Sequence, residues 1–484
     1  MFGKNSLKSD TLFYGGATLA ERLISFLILP ILTKALPQEL YGIWTQIIVT
    51  TALLSTVVLM GFHTAAVRFL AGEKDDQGIS NIFHGMLGTI LLNSAIVIAL
   101  TFLFAPSISN ILFGNVRFST FVHLVGFFLA GEALFELTTA FLRARKEIRL
   151  LSIYYFLKNG VRLVILAVGL LIFHLNLFQT IIFMMVLQFL LITLIYVKDI
   201  VNKIGLSISF TDIRWKGIFS FSIPLIPYAI LIWANNFIDR YLILHTLNIN
   251  QLTIYAVAYS LAAIVGLFYS ILGYTLYPYM ANLWNNGDKN GAAEMLRKAT
   301  EYYLFFAVPL IAILTILNTP LIKLLSTAEY LSNWQVVFWL GAGIGVFGLY
   351  QLNICSLLLS NRTLLNLKIA VIAVVGNLTF NILLIPVIGI LGAAIATFLS
   401  NSILAFWTIA IGKKYVPYVF PWRSTVKIVF ATLVVSIFLL SAMHYLDMNN
   451  FFMLICIITL AVAIYGSIDL LNKNSALLQL RRGL

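Results

Sequence analysis

Six ionisable side chains stand inside apolar stretches in the first half of the chain: Glu21, Arg22, Glu132, Glu136, Lys158 and Arg162. Charges in such surroundings are costly, so residues of these types at these places point to ligand or ion handling. Glu132 and Glu136 are four residues apart and share a helix face, as do Lys158 and Arg162. The stretches that hold them are joined by a short basic segment and must form an antiparallel hairpin. At equal depth in such a hairpin the two residue numbers have a constant sum, which sets Glu132 level with Arg162 and Glu136 level with Lys158. Guanidinium groups offer planar, multi-donor binding to phosphate oxygens, and an ammonium acts as a point charge. A buried carboxyl can shift towards neutral pH and carry a coupling proton. The six charges sum to zero, however. A permanently paired network that orients helices and lines water is the alternative, although stability alone does not require such pairs.

The elements that must position these residues follow from composition. The 484 residues are 61% hydrophobic and only 10% charged, against about 45–50% apolar and about 25% charged in soluble proteins. A bilayer-embedded, all-α protein is the class left. Apolar runs of spanning length occur at 11–33, 42–62, 82–104, 118–142, 150–173, 177–197, 217–238, 251–275, 301–318, 334–358, 366–385, 390–411, 425–444 and 451–470, giving about 14 transmembrane helices. The first run carries Glu21 and Arg22 and no small-residue cleavage site, so it reads as a retained span rather than a signal peptide. Rise per residue then places Arg162 about 18 Å and Arg22 about 17 Å from the cytoplasmic end, near the bilayer midplane.

The formal net charge of +13 belongs to loops rather than to a nucleic-acid surface. With the N-terminus in the cytoplasm, 24 of the 31 basic residues fall in inside segments. Four fall outside: Lys34, Arg117, Arg240 and Lys323. This bias sets a multi-pass topology with both termini cytoplasmic.

Leu36–Trp44 and Leu247–Tyr255 align without gaps, and each follows the first span of a six-span set. The expected organisation is therefore two parallel six-helix lobes around a central cavity, plus two C-terminal helices. The lobes cover 1–198 (spans 1–6) and 217–412 (spans 7–12). A cytoplasmic linker covers 199–216, and spans 13–14 with a cytoplasmic tail cover 413–484.

Several strings resemble the polysaccharide-export (Wzx-type) flippases of the multidrug/oligosaccharidyl-lipid/polysaccharide exporter superfamily. They are Leu36-Pro37-Gln38-Glu39-Leu40-Tyr41-Gly42-Ile43-Trp44 after a span holding Arg22, Phe221-Ser222-Ile223-Pro224-Leu225-Ile226-Pro227 followed by Asp239-Arg240-Tyr241, Tyr255-Ala256-Val257-Ala258-Tyr259, and Gly389-Ile390-Leu391-Gly392-Ala393-Ala394-Ile395-Ala396-Thr397. One departure is Thr253, where the family usually has glycine. The resemblance implies that a polyprenyl-pyrophosphate-linked glycan (an O-antigen, capsule or exopolysaccharide repeat unit) passes from the inner to the outer leaflet of the plasma membrane. It also implies membrane lipids, a polysaccharide polymerase and chain-length machinery as partners, and no nucleic acid. Arg22, Arg162 and Lys158 are then candidates for the pyrophosphate, and Glu21, Glu132 and Glu136 complete the transport-site set.

Asp239 and Arg240, at the outer end of the seventh span, are a candidate outer gate or a local ion pair. Tyr154, Tyr155, Tyr228 and Trp233 could stack on sugars or belong to interfacial belts. Asn377, Asn381 and Asn401 could bind sugars or hold helices together. The six histidines are scattered, with no metal-ligand spacing, and no nucleotide-binding glycine loop occurs. The expectation is no enzyme and no cofactor or metal, with a proton or Na+ as the candidate coupling ion. A multidrug/cation antiporter of the same fold is the alternative function, and a membrane glycosyltransferase would need a larger outer loop.

Overall fold

The computed structural model describes residues 16, 20, 23–73, 75–206, 215–446 and 450–470. Every regular element among them is helical, as a bilayer requires when backbone groups must be satisfied within one segment. Among the described residues, thirteen helical segments are long and apolar enough to cross a membrane, and a shorter apolar helix, α1 (Leu23–Ala35), precedes them. The chain is a multi-pass membrane protein. Its exposed surface is apolar where lipid would lie, with Leu92, Phe104, Val387 and Phe452 among the outward side chains.

Two compact units are present, residues 1–237 and 238–484. The first begins with α1, α2 (Gln38–Val58) and α3 (Phe62–Gly72). Met60 and Gly61, with φ of 47° and 73°, break α2 from α3. Glycine is needed at position 61 twice over, because a Cβ there would stand 2.7 Å from the Ser222 carbonyl oxygen. Next come α4 (Asp76–Leu103), α5 (Ala105–Phe113) and α6 (Ser119–Ala144). They are followed by α7 (Ile148–Ala167), α8 (Leu177–Ile195), the one-turn α9 (Asn202–Ile204) and α10 (Trp215–Ser222). Asn176 and Gln179 form a capping box that starts α8. Phe83, Leu129, Phe135 and Phe141 anchor the buried core of this unit.

α11 (Leu225–Thr246) contains the division between the units. The second unit continues with α12 (Ile249–Ala262), α13 (Gly266–Asn285), α14 (Lys289–Ile316) and α15 (Asn318–Leu325). α16 (Trp334–Leu359), α17 (Thr363–Ile388) and α18 (Ile390–Gly412) follow. α19 (Trp422–Tyr445) and α20 (Phe451–Leu470) pack on α14 through Phe305, Val435, Leu439, Ile457 and Tyr465.

The same helix series appears in both units. α4 and α14 are each 28 residues long and start 213 positions apart, at Asp76 and Lys289. Each is capped by an aspartate side chain accepting from the glycine three residues on: Asp75 from Gly78 N–H, and Asp288 from Gly291 N–H. A short helix and a 3₁₀ turn follow in both, and then a helix of 26 residues, α6 or α16.

Span expectations change in the second unit: the eighth continues through α13 to Asn285 rather than ending at 275, and two others shift. The seventh span does not stop at 238: the chain breaks at Ile223-Pro224, and α11 then runs to Thr246. Asp239 and Arg240 therefore sit within a helix, two turns before its end. The helix of the ninth span starts at Lys289, three turns before the apolar run at 301, because those turns are polar and invisible to hydropathy.

Candidate functional site

The charged residues of the fourth and fifth spans meet between α6, α7 and α8. Glu132 accepts three bonds there: from Arg162 Nη2 at 2.8 Å, Lys158 Nζ at 3.0 Å and Gln188 Nε2 at 3.0 Å. Lys158 also lies 4.2 Å from the Phe135 ring centroid, and the Arg162 guanidinium lies 5.3 Å from that of Phe128. One carboxylate thus neutralises part of two cations in a largely buried setting. Its lone pairs are used as such a site requires.

The expected Glu136–Lys158 pair does not form. Glu136 instead accepts from the Tyr155 hydroxyl, at 3.0 and 3.1 Å to its two oxygens. Tyr155 precedes Lys158 by three residues on the same face of α7 and fills the place level with Glu136. The flexible lysine stem leans the other way, to Glu132. Constant-sum register fixes depth to within about a turn, and long side chains then choose among partners inside that turn. Among the described residues no base forms an ion pair with Glu136. Glu21 and Arg22 lie outside the described residues.

Glu132, Glu136 and Arg162 line a cavity of about 360 Å³, whose other wall is α2 with Thr51, Ser55 and Thr56. His63 completes it from the start of α3. The break at Met60-Gly61 brings this histidine to the site, which its spacing from the other histidines does not reveal. Three buried polar atoms of the lining have no hydrogen-bond partner among the described residues: Thr51 Oγ1, His63 Nδ1 and Arg162 Nε. Thr51 is only 3% exposed. Gln188 was also missed, since an amide inside a span carries no charge signal.

Asp239 and Arg240 form a second buried group, in the other unit. Asp239 accepts from the Tyr255 hydroxyl, from Thr397 Oγ1 at 3.4 Å and from the Arg240 backbone N–H at 2.8 Å. The Arg240 Nη1 is 3.6 Å from the Asp239 carboxylate, and its guanidinium lies 4.3 Å from the Tyr259 ring centroid. The pair ties α11 to α12 and α18.

The remaining polar candidates are engaged in holding helices. Asn377 donates to Ser400 at 2.9 Å, Asn381 donates to Asn377 at 2.9 Å, and Asn401 donates to the Gly343 carbonyl at 3.1 Å. Trp233 donates to the Val49 carbonyl at 3.0 Å, and Tyr154 donates to Asp199 at 2.5 Å.

Comparison with known proteins places this geometry. A sequence profile described as polysaccharide biosynthesis protein matches residues 31–335. An uncharacterized membrane protein of Methanocaldococcus jannaschii is 25% identical over 411 residues, covering 77% of each chain. Among solved structures, the lipid II flippase MurJ in an inward closed conformation superposes with a TM-score of 0.78 at 15% identity, over 94% of this chain and 98% of its own. An inward-facing multidrug resistance MATE family transporter of the MOP superfamily gives 0.64 at 14% identity, over 82% and 94%.

Proposed function

Because this chain belongs to the polysaccharide biosynthesis protein family, we propose that it is a flippase. It carries a polyprenyl-pyrophosphate-linked oligosaccharide, the repeat unit of an O-antigen, capsule or exopolysaccharide, from the inner to the outer leaflet of the plasma membrane by alternating access. The observation that carries this reading is the cavity of the first unit, with Thr51 Oγ1, His63 Nδ1 and Arg162 Nε unpartnered in its wall among the described residues. Buried polar groups favour a ligand that brings hydrogen bonds. The Lys158 ammonium and the Arg162 Nη2 are engaged by Glu132. A pyrophosphate would have to displace that carboxylate, whereas sugar hydroxyls need displace nothing. We assign the sugar to this cavity, in place of the pyrophosphate first expected at Arg162 and Lys158.

The test is flipping in proteoliposomes of two labelled lipids, polyprenyl pyrophosphate with and without its sugar. Thr51→Val removes one hydroxyl without changing shape. A lost hydrogen bond of about 1 kcal/mol slows transport of the glycosylated lipid about 5-fold, leaves the bare lipid unchanged, and is reversed by Thr51→Ser. Equal rates for the glycosylated lipid in wild type and Thr51→Val would remove the sugar from this cavity.

A second reading, a cation antiporter of the same fold, is favoured by one observation. Among the described residues Glu136 is bonded by a neutral tyrosine rather than by a base, which suits a carboxylate that takes up a proton or Na+. In the flippase reading the same carboxylate takes the coupling ion. Proton-driven efflux of organic cations, with no movement of lipid-linked sugar, would decide for the antiporter.

A further inference from the structure

A cavity of about 670 Å³ opens in the second unit between the third to fifth turns of α14, the first turns of α19 and the last turns of α20. Arg297, Arg423 and Lys427 line it with Glu301, Asp469 and Trp422. Its acidic residue on α14 is already neutralised. Glu301 accepts from Arg297 Nη1 at 3.0 Å and from Ser424 Oγ at 2.6 Å. Arg297 is held as well by Glu294, through Nε and Nη2 at 2.7 Å each. The other carboxylate of the lining, Asp469, stands on α20, and the wall formed by α19 supplies the remaining cations. Arg423 and Lys427 are one turn apart on one face and exposed, and neither forms an ion pair among the described residues.

We propose that this cavity binds the phosphate of an anionic phospholipid headgroup, with Arg423 and Lys427 as its ligands. Phosphate is the chemistry that a guanidinium beside an ammonium recognises. Two features of α19 select a lipid over free phosphate. Exposed cations hold a soluble anion weakly in salt. Below them Val426, Phe430, Leu433 and Ile437 run down the outer face of α19, each more than half exposed, so acyl chains can lie along the helix that supplies the cations. Basic pockets between membrane helices bind acidic headgroups in this way. The site belongs to α19 and α20, which follow the helices repeated in the two units.

The experiment is native mass spectrometry of the full chain released from micelles containing phosphatidylglycerol or phosphatidylcholine, with thermal unfolding as a parallel readout. One phosphatidylglycerol is expected to be retained at least five-fold over phosphatidylcholine and to raise the unfolding temperature. Arg423→Ala with Lys427→Ala should cut retention at least five-fold. The charge-preserving Arg423→Lys with Lys427→Arg keeps it, which separates loss of ligands from loss of fold. Equal retention of the two lipids, or retention unchanged in the alanine double variant, overturns the proposal. So does displacement of the phospholipid by millimolar inorganic phosphate, or by equimolar polyprenyl pyrophosphate.

Discussion

Replacing Glu132 by glutamine is the sharpest probe of the charged cluster. It keeps the shape and removes the charge that holds Lys158 and Arg162 at 3.0 and 2.8 Å. At an effective dielectric constant of about 20, each contact is worth about 6 kcal/mol of Coulomb attraction, most of it offset by desolvation. Breaking such a pair leaves an uncompensated buried charge and costs about 3–5 kcal/mol. Here two cations are left facing a neutral amide, so Glu132→Gln should fall at the upper end. Lys158→Met alone still leaves Arg162 paired and should cost less, about 1.5–3 kcal/mol, as for a charged hydrogen bond. Combined with Glu132→Gln, it should recover at least about 1 kcal/mol relative to additivity, as should Arg162→Gln. Glu136→Gln should show no such coupling to Lys158. The assay is reversible unfolding of purified variants in mixed micelles, read as a double-mutant cycle. A Lys158 coupling larger with Glu136 than with Glu132 would refute the geometry, and additivity throughout would mean that the contacts carry no energy.

Three further outcomes are expected. Cysteine in place of Asn250 should react with an impermeant reagent in intact cells and cysteine in place of Asn290 should not; the reverse pattern inverts the topology set by the basic loops. Arg22→Ala should abolish glycan export at matched membrane abundance in a complementation assay, with Arg22→Lys testing the need for a bidentate donor, whereas normal export removes Arg22 from the transport site. Gly61→Ala should destabilise by more than 1 kcal/mol, because alanine at φ 73° is strained and its Cβ meets the Ser222 carbonyl; an unchanged unfolding midpoint would mean that the α2–α3 break yields freely.

The spans were legible because hydropathy reports what a bilayer demands. Thr363–Ile388 and Phe451–Leu470 fall within three residues of the runs read from composition. Polar helix was not legible in that way. The first turns of α14 needed the cap Asp288-x-x-Gly291, which repeats Asp75-x-x-Gly78 at the helix's counterpart and marks the repeat more sharply than the loop alignment does. Burial of Asp239 and Arg240 was hidden for the opposite reason. A charged pair reads as a span end, and only its bonds to Tyr255 and Thr397 place it inside. The charged cluster was legible as a set but not in its pairing. Lys158 could reach either acid, and the neutral Tyr155 and Gln188 decided the outcome. His63 depended on two consecutive left-handed residues that no periodicity announces.

The repeat itself bears on whether those charges are scaffolding. Counted from the helix starts of α6 and α16, Glu132 and Glu136 correspond to Phe347 and Gln351. On α7 and α17, Lys158 and Arg162 correspond to Ala373 and Asn377. On α8 and α18, Gln188 corresponds to Asn401. The second unit therefore builds the same helix series with apolar and amide side chains, in keeping with the rule that buried ion pairs can be replaced by well-packed neutral groups without loss of stability. The reverse holds for Asp239 and Arg240, whose counterparts in α1, counted from the starts of α2 and α12, are Ile28 and Leu29. Each unit carries a buried charged group where its counterpart manages without one. A purely structural role would need each fold to depend on charges that its repeat does not use. A role in transport needs only that the two units do different work, one holding the polar ligand and the other joining three helices around a buried acid.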